Sequence, residues 1–520
     1  MLTPSARFFY YYSFAALLVS TLLASNVYRA QKQSITIDEA FTFNEFVAPP
    51  FSQTMGSYDA NNHILFTLLA KFTTSVFGPS EFTLRLPTLI AGVVFLLVLC
   101  VLSARAFGPT PLFAVAISLT ALNPFLGDYL SAARGYGLGL AFWFTGLLAF
   151  QLALRRSHSH WLMSLGCLSA MLALTANLTF TFPSFGLLGT VFLLLGWRQG
   201  YRAAPYFLVP ILLVGSMLWM SPLRKAQPRH FYHGSNTVSQ CVQSLGSYTF
   251  FYRSNTFNLD GKPYWINWPH RRVLARLQMA LLLLAAGATA TMARAIVRAK
   301  RAAGPVDELS LLITLLGGSS IIGALLLCMV HVAFGVKYPS SRAGLFWIVS
   351  TSFLAPLLAS KLKKNFPAFR PIVGLLTVCG FFCAAYLASE IRTTDYAEWR
   401  FDVGTRDIAL VINAQGNKET STRVGASWLL ASSLDFYRRI WRLPWEPVRR
   451  LSKEQLALGA RAGLFDYLVL LPQDHAILPE AGWRTVLHDS RTGAIVLLRS
   501  SGCGPRVIAP SDRRAKAITP

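Results

Sequence analysis

The chain has 520 residues, of which 53% are hydrophobic and only 14% charged, with a mean hydropathy of +0.44. Soluble domains carry about 25% charged residues, so this composition excludes a soluble multidomain protein and points to a polytopic membrane protein. The formal charge of +25 would suggest nucleic acid in a soluble domain, but much of the Lys and Arg falls in short connections between apolar runs, where it holds loops on the cytoplasmic side; no nucleic-acid partner is expected.

Runs of roughly 20 apolar residues are the unit of bilayer crossing, and about eleven are present. They lie at 7–27, 84–104, 110–127, 136–154, 161–177, 178–197, 205–221, 273–297, 310–331, 343–360 and 371–389. The break between the fifth and sixth is weak, with only Asn177 and Pro183 as punctuation. The first run reads as a retained span or as a cleaved signal peptide. With the N-terminus inside, the connections "SARAFGPTP", "RRSHSHW", "WRQGYRAA", "RAIVRAKRAAG" and "SKLKKNFPAFRP" all fall on the cytoplasmic side, and nearly all are rich in Arg and Lys.

The outside segments are then 28–83, 128–135, 222–272, 332–342 and everything after 390. Long ordered loops are more often functional than short ones, so chemistry is expected on this face. The expected organisation is a membrane domain over 1–390 with outside loops 28–83 and 222–272, an extracytoplasmic α/β domain over 391–500, and a disordered tail over 501–520. Within the α/β unit, "FDYLVLLP" reads as a buried strand, "SLDFYRRIW" as an amphipathic helix, and "GWRTVLHDSRTGAIVLLRS" as a hairpin with a Thr-Gly turn. "GYGLGL" at 135–140 opens a span instead of following a strand, so it reads as close helix packing and not as a dinucleotide loop. Cys241 and Cys503 are the two cysteines outside the spans, and a disulfide between them is not expected.

In "SITIDEAFTFNEF" the adjacent acids Asp38 and Glu39 stand beside the first span. Thr36 followed by Glu39 is a capping box, so the pair reads either as the start of a surface helix or as part of a site. Arg85, Arg134 and Arg342 recur at the same face with Asp128, Lys337, Tyr136, Asn62 and His63. A single arginine at a span end commonly anchors or snorkels, but this many polar groups from distant segments suggest a lined cavity. Asp128 suits a second acid of the site or a helix start, and Tyr136 suits the site or an interfacial anchor. The His, Arg and aromatic residues of "RKAQPRHFYHGSN" and "NWPHRR" suit sugar or phosphate binding and anionic-lipid attraction alike.

The motifs "DEAFTFNEF", "YDANNHILFTLLAKFTTSVFGPSEFTLRLPTLIAG", "AARGYGLGL" and "YPSSRAGLF", in this order, resemble those of the polyprenyl-phosphate-sugar-dependent glycosyltransferases. That family includes the protein O-mannosyltransferases and the lipid A aminoarabinose transferase and has the C-type glycosyltransferase fold. The resemblance implies a helical membrane enzyme that moves a sugar, with inversion, from a polyprenyl-phosphate donor to an extracytoplasmic acceptor in the inner membrane. It implies Asp38 acting on the acceptor, Glu39 orienting the acceptor or contacting a metal, and Arg85, Arg134 and Arg342 holding the donor phosphate or supporting the loops; Lys337 joins them as a candidate for the donor phosphate, Asp128 as a candidate second acid, and Asn62, His63 and Tyr136 as acceptor or loop support. A divalent metal would have Glu39 and His63 as candidate ligands. Asn61, Asn62 and His63 stand where aminoarabinose transferases carry a carboxylate, which leaves metal use open. A transporter or flippase of a lipid-linked sugar is the alternative; it would show related halves or ionisable residues near the midplane, and neither is evident.

Overall fold

The computed structural model describes residues 3–56, 58–155, 159–199, 204–227, 234–250, 270–300, 307–416, 421–477 and 482–500. The stretch 251–269, which contains "NWP", the stretch 228–233, which contains "RHFYH", Cys503 and the 501–520 tail all lie outside them. Each of the eleven apolar runs contains helix, and among the described residues seven helices are long and apolar enough to cross a membrane: Pro4–Lys32, Glu81–Phe107, Gly135–Arg155, Leu178–Leu195, Glu308–Phe334, Ser341–Asn365 and Pro367–Ser389. The chain is a multi-pass membrane protein. The apolar helices Pro111–Ala121, His160–Ala176, Pro205–Met220 and Met279–Ala295 are shorter.

Two expected boundaries differ from those found. The run 110–127 is broken at Asn123, whose side chain accepts a hydrogen bond from the Leu126 amide at 3.2 Å and so starts a separate helix, Pro124–Tyr129. Proline at the first helical position suits that restart, because its missing N–H would have had no partner there. Segment 28–83 is no mere loop. The first helix runs on to Lys32, and an apolar 14-residue helix, Ile64–Phe77, leaves Phe72, Val76 and Phe77 exposed. Asn177 does break the helix between the fifth and sixth runs, accepting from the Thr179 amide at 3.0 Å.

The helices pack around a buried aromatic centre of Phe95, Trp143, Phe144 and Phe346. Large apolar side chains such as Val332, Phe381 and Phe382 face outward, as lipid contact requires. Gly139 lies against the Phe180 ring, where a Cβ would come within 2.4 Å, so the small residues of "GYGLGL" serve close packing.

The C-terminal unit is a four-stranded sheet with helices. Strands β1 (Val424–Ala426) and β2 (Tyr467–Leu470) pair in parallel, β2 pairs antiparallel with β4 (Ala494–Arg499), and β4 forms a hairpin with β3 (Trp483–Asp489). At the hairpin turn Gly493 takes φ +73°, and the Thr492 hydroxyl donates to Asp489 at 2.7 Å. The strand, amphipathic helix (Trp428–Ile440) and hairpin read from the sequence are all present. This unit does not stand apart. The Ile37 amide donates to Asp402 (2.7 Å), the Ile35 amide to the Tyr437 hydroxyl (3.0 Å) and the Asn44 side chain to the Ser432 carbonyl (3.0 Å), so the unit shares one continuous core with the membrane helices.

Candidate active site

The short helix Ile37–Thr42 begins with the expected capping box: Thr36 accepts from the Glu39 amide at 3.3 Å, and the Thr36 amide donates to Glu39 at 2.9 Å. Neither Glu39 nor Arg85 has any exposed side chain, and they form a two-pronged ion pair at 2.8 and 2.7 Å. A guanidinium has five N–H donors. Arg85 spends the other three on the carbonyls of Ala30, Gln33 and Ser34, which finish the first helix. The Ala133 amide adds a 2.5 Å bond to Glu39. Burial would raise the Glu39 carboxyl, but Arg85 and the amides of Ala133 and Thr36 hold it below its ordinary value. With every Arg85 donor taken, none remains for a phosphate. With both Glu39 oxygens bridged, neither is open to a metal or an acceptor. Of the two roles expected for Arg85, phosphate binding gives way to loop support, and Glu39 serves the same structural clasp instead of the acceptor or a metal, because the span end beside them leaves main-chain carbonyls that only buried donors can satisfy.

Asp38 precedes Glu39 by one residue, about 100° around the helix, and so points to a different side. Its carboxylate meets Arg342 at 2.5 Å. Burial acts to raise the Asp38 carboxyl, yet the charges of Arg342 and Arg134 and a hydrogen bond from Trp399 hold it below the usual carboxylate range. Arg134 donates to Thr42 Oγ1 (2.9 Å), Asn61 Oδ1 (3.1 Å) and His63 Nε2 (3.1 Å), while its buried Nε has no partner among the described residues. Gly135 follows because the chain passes against Ala176 and His63 here; a Cβ would sit 1.9 Å from the Ala176 carbonyl oxygen.

Asn61, His63, Arg134 and Arg342 border a cavity of about 210 Å³. Of the residues expected at the site, it collects Arg134, Arg342, Lys337, Asn62, His63 and Tyr136 from three separate segments, and adds Asn61, Asn177 and Trp347. Its charged lining, among the described residues, is three cations without a carboxylate, and Asp38 reaches it across the Arg342 pair. Asp128 is elsewhere. It closes the Pro124–Tyr129 helix instead of starting a span, pairs with Arg29, and accepts from the Ala397 amide at 3.1 Å, which fastens the first helix to the C-terminal unit. Both expectations for Asp128 are replaced by this buried fastening.

Burial and the charges of Arg134 and Arg342 hold His63 well below its usual pKa, so its ring is neutral. Its Nδ1 meets the Gly135 amide at 3.2 Å and the Asn177 side-chain amide at 3.1 Å, and its Nε2 meets the Arg134 guanidinium at 3.1 Å, so both ring nitrogens are engaged. A metal at Nε2 would have to displace that guanidinium. Among the described residues no three His, Cys, Asp or Glu side chains cluster at metal-binding spacing. The residues present do not fit a divalent metal held by Glu39 and His63.

Glu398 and Trp399, in the segment after the last span, were not anticipated. Glu398 accepts from Ser341 (2.8 Å) and from the Tyr129 hydroxyl. Burial pushes its carboxyl up, against the opposing charge of Arg342 and the hydrogen bonds of Tyr129 and Ser341. The available signal was an acid between aromatics, "YAEW", just past a span end. Asn177, read only as punctuation, hydrogen-bonds His63 at 3.1 Å.

No protein-family model matches the sequence, and no curated protein does. Among solved structures, the chain is similar to ArnT from Cupriavidus metallidurans bound to undecaprenyl phosphate, at 16% identity over 95% of this chain and 99% of that one, with a TM-score of 0.46. It is similar to the Archaeoglobus fulgidus oligosaccharyltransferase in complex with Zn and sulfate, at 11% identity over 87% of this chain and 67% of the other, with a TM-score of 0.43. It is also similar to the arabinofuranosyltransferase AftD from Mycobacteria, at 14% identity over 94% of this chain and 42% of the other, with a TM-score of 0.45.

Proposed function

We propose that this protein is an integral membrane glycosyltransferase that moves one sugar from a polyprenyl-phosphate donor to an acceptor on the non-cytoplasmic side of the inner membrane. The observation that carries the reading is a carboxylate, Asp38, paired at 2.5 Å with Arg342, one of the three cations that line the cavity. Arginine's planar fork suits phosphate oxygens, and a carboxylate suits proton removal from a hydroxyl. The ordered first-loop, "AARGYG" and "YPSSRAG" motifs add to it, because the residues they supply meet at this cavity.

In the proposed reaction the acceptor hydroxyl attacks the anomeric carbon while Asp38 takes its proton. The bond from that carbon to the phosphate oxygen breaks, and the polyprenyl phosphate leaves with the electron pair, its charge met by Arg342, Arg134 and Lys337. One displacement without a covalent intermediate inverts the anomeric centre. Asn61, Asn62 and Asn177 offer hydrogen bonds to sugar hydroxyls, and Trp347 offers an apolar face.

The test is transfer from a panel of polyprenyl-phosphate sugars by purified protein in nanodiscs, with donor binding measured in parallel for wild type and Asp38→Asn. Turnover by wild type, and its loss in the variant with donor binding retained, supports the reading. Equal turnover by both returns Asp38 to helix capping. Binding without transfer by wild type to any acceptor favours a carrier of lipid-linked sugar.

A further inference from the structure

Arg342 is held at Asp38 by a turn with an unusual backbone. Ser341, immediately before it, takes φ +50°, a left-handed conformation that side-chain-bearing residues seldom adopt without support from their surroundings. Two contacts supply that support. The Ser341 amide donates to Ser244 Oγ at 2.9 Å, and its hydroxyl donates to Glu398 Oε1 at 2.8 Å. The second Glu398 oxygen accepts from Tyr129, whose ring packs edge-on against Tyr136 of the cavity wall, centroids 4.7 Å apart. Trp399, the next residue, hydrogen-bonds Asp38 and packs on Tyr129. One short segment of the C-terminal unit therefore touches both sides of the Asp38–Arg342 pair.

We propose that Glu398 is a positioning residue for Arg342: by anchoring the Ser341 hydroxyl it holds the turn in its left-handed form and sets where the guanidinium meets the donor phosphate. The inference rests on the transferase reading. Glu398 does not line the cavity, so it acts through Arg342 and Tyr129 and not on the sugar. The C-terminal unit is thus a working part of the donor site.

The experiment compares Glu398→Ala, Glu398→Gln, Ser341→Ala and Ser341→Gly in nanodiscs, with kcat, donor KM, equilibrium binding of polyprenyl phosphate alone, and thermal unfolding. Glu398→Ala is expected to raise donor KM and weaken polyprenyl-phosphate binding about tenfold at a nearly unchanged unfolding temperature, the order of effect expected when a supporting contact is lost. Gln, which can still accept from Ser341, is expected to restore most of it. Ser341→Gly, which adopts φ +50° without cost, is expected to be milder than Ser341→Ala. Wild-type binding and KM in Glu398→Ala would overturn the proposal. So would a loss confined to unfolding temperature, or a Gln variant no better than Ala. Because polyprenyl-phosphate binding is read without turnover, a wild type that binds but never transfers would defeat the transferase reading and still leave the effect of Glu398 on binding measurable.

Discussion

Asp38 and Glu39 are neighbours in sequence and opposites in structure. Glu39 lies inside a sealed clasp in which every donor of Arg85 and both carboxylate oxygens are committed. Asp38 is paired with Arg342, an arginine that also lines the cavity. The difference teaches that the clasp holds the short helix rigidly so that the adjacent acid can be presented. A buried ion pair is costly to break and contributes little as chemistry, whereas a pair at a cavity rim can exchange its partner for a substrate.

The most severe way to break the comparison is Arg85→Ala. It strands Glu39 as an uncompensated buried carboxylate and leaves three carbonyls without donors, and such losses cost about 3–5 kcal/mol. The expected outcome is loss of folded protein, read as recovery in detergent and thermal unfolding temperature; a folded, active variant would mean the clasp is dispensable. Next in size, Asp38→Asn is expected to fold normally and lose on the order of 10²–10⁴ in kcat, the usual worth of a general base. Arg342→Lys keeps the charge but loses the fork, and it is expected to raise donor KM by roughly tenfold, about 1.4 kcal/mol, in steady-state kinetics.

A pH profile sharpens the contrast further. Asp38 must be ionised to act, and its carboxyl lies below the usual range, so activity is expected at neutral pH and lost only as pH falls through that depressed value. Removing the opposing charge in Arg342→Ala leaves burial to raise the carboxyl, so the acid limb of kcat/KM should move to higher pH. An unmoved limb would mean another group sets it. The smallest effect is expected from a chelator, since His63 Nε2 already accepts from Arg134 and both Glu39 oxygens are bridged: transfer rates should stay unchanged with EDTA.

Much of this was legible in the sequence, for reasons that differ by element. Helix positions followed from apolar runs, because lipid accepts little else. The convergence of Arg134, Arg342, Lys337 and His63 followed from ordered motifs at one face. The fate of Glu39 did not, since a capping acid and a site acid look alike until Arg85 is seen to come from the helix 46 residues later. Asp128 was misread for the same reason: its partner, Arg29, precedes it by 99 residues. Glu398 was invisible because its role depends on the Ser341 turn, and a left-handed serine leaves no mark in composition or periodicity.

The contacts between the first-loop helix and the C-terminal unit also carry a consequence for synthesis. The Ile37 amide meets Asp402 across 365 residues of chain, and the Ile35 amide meets Tyr437 across 402. At translation speeds of roughly 5–20 residues per second, the segment bearing Asp38 waits about 20–80 s for the partners that cover it. During that interval the nascent chain presents an incompletely walled apolar face at the membrane surface. Premature termination before residue 400 would leave the inserted helices without the partners of Ile35 and Ile37 that close this face.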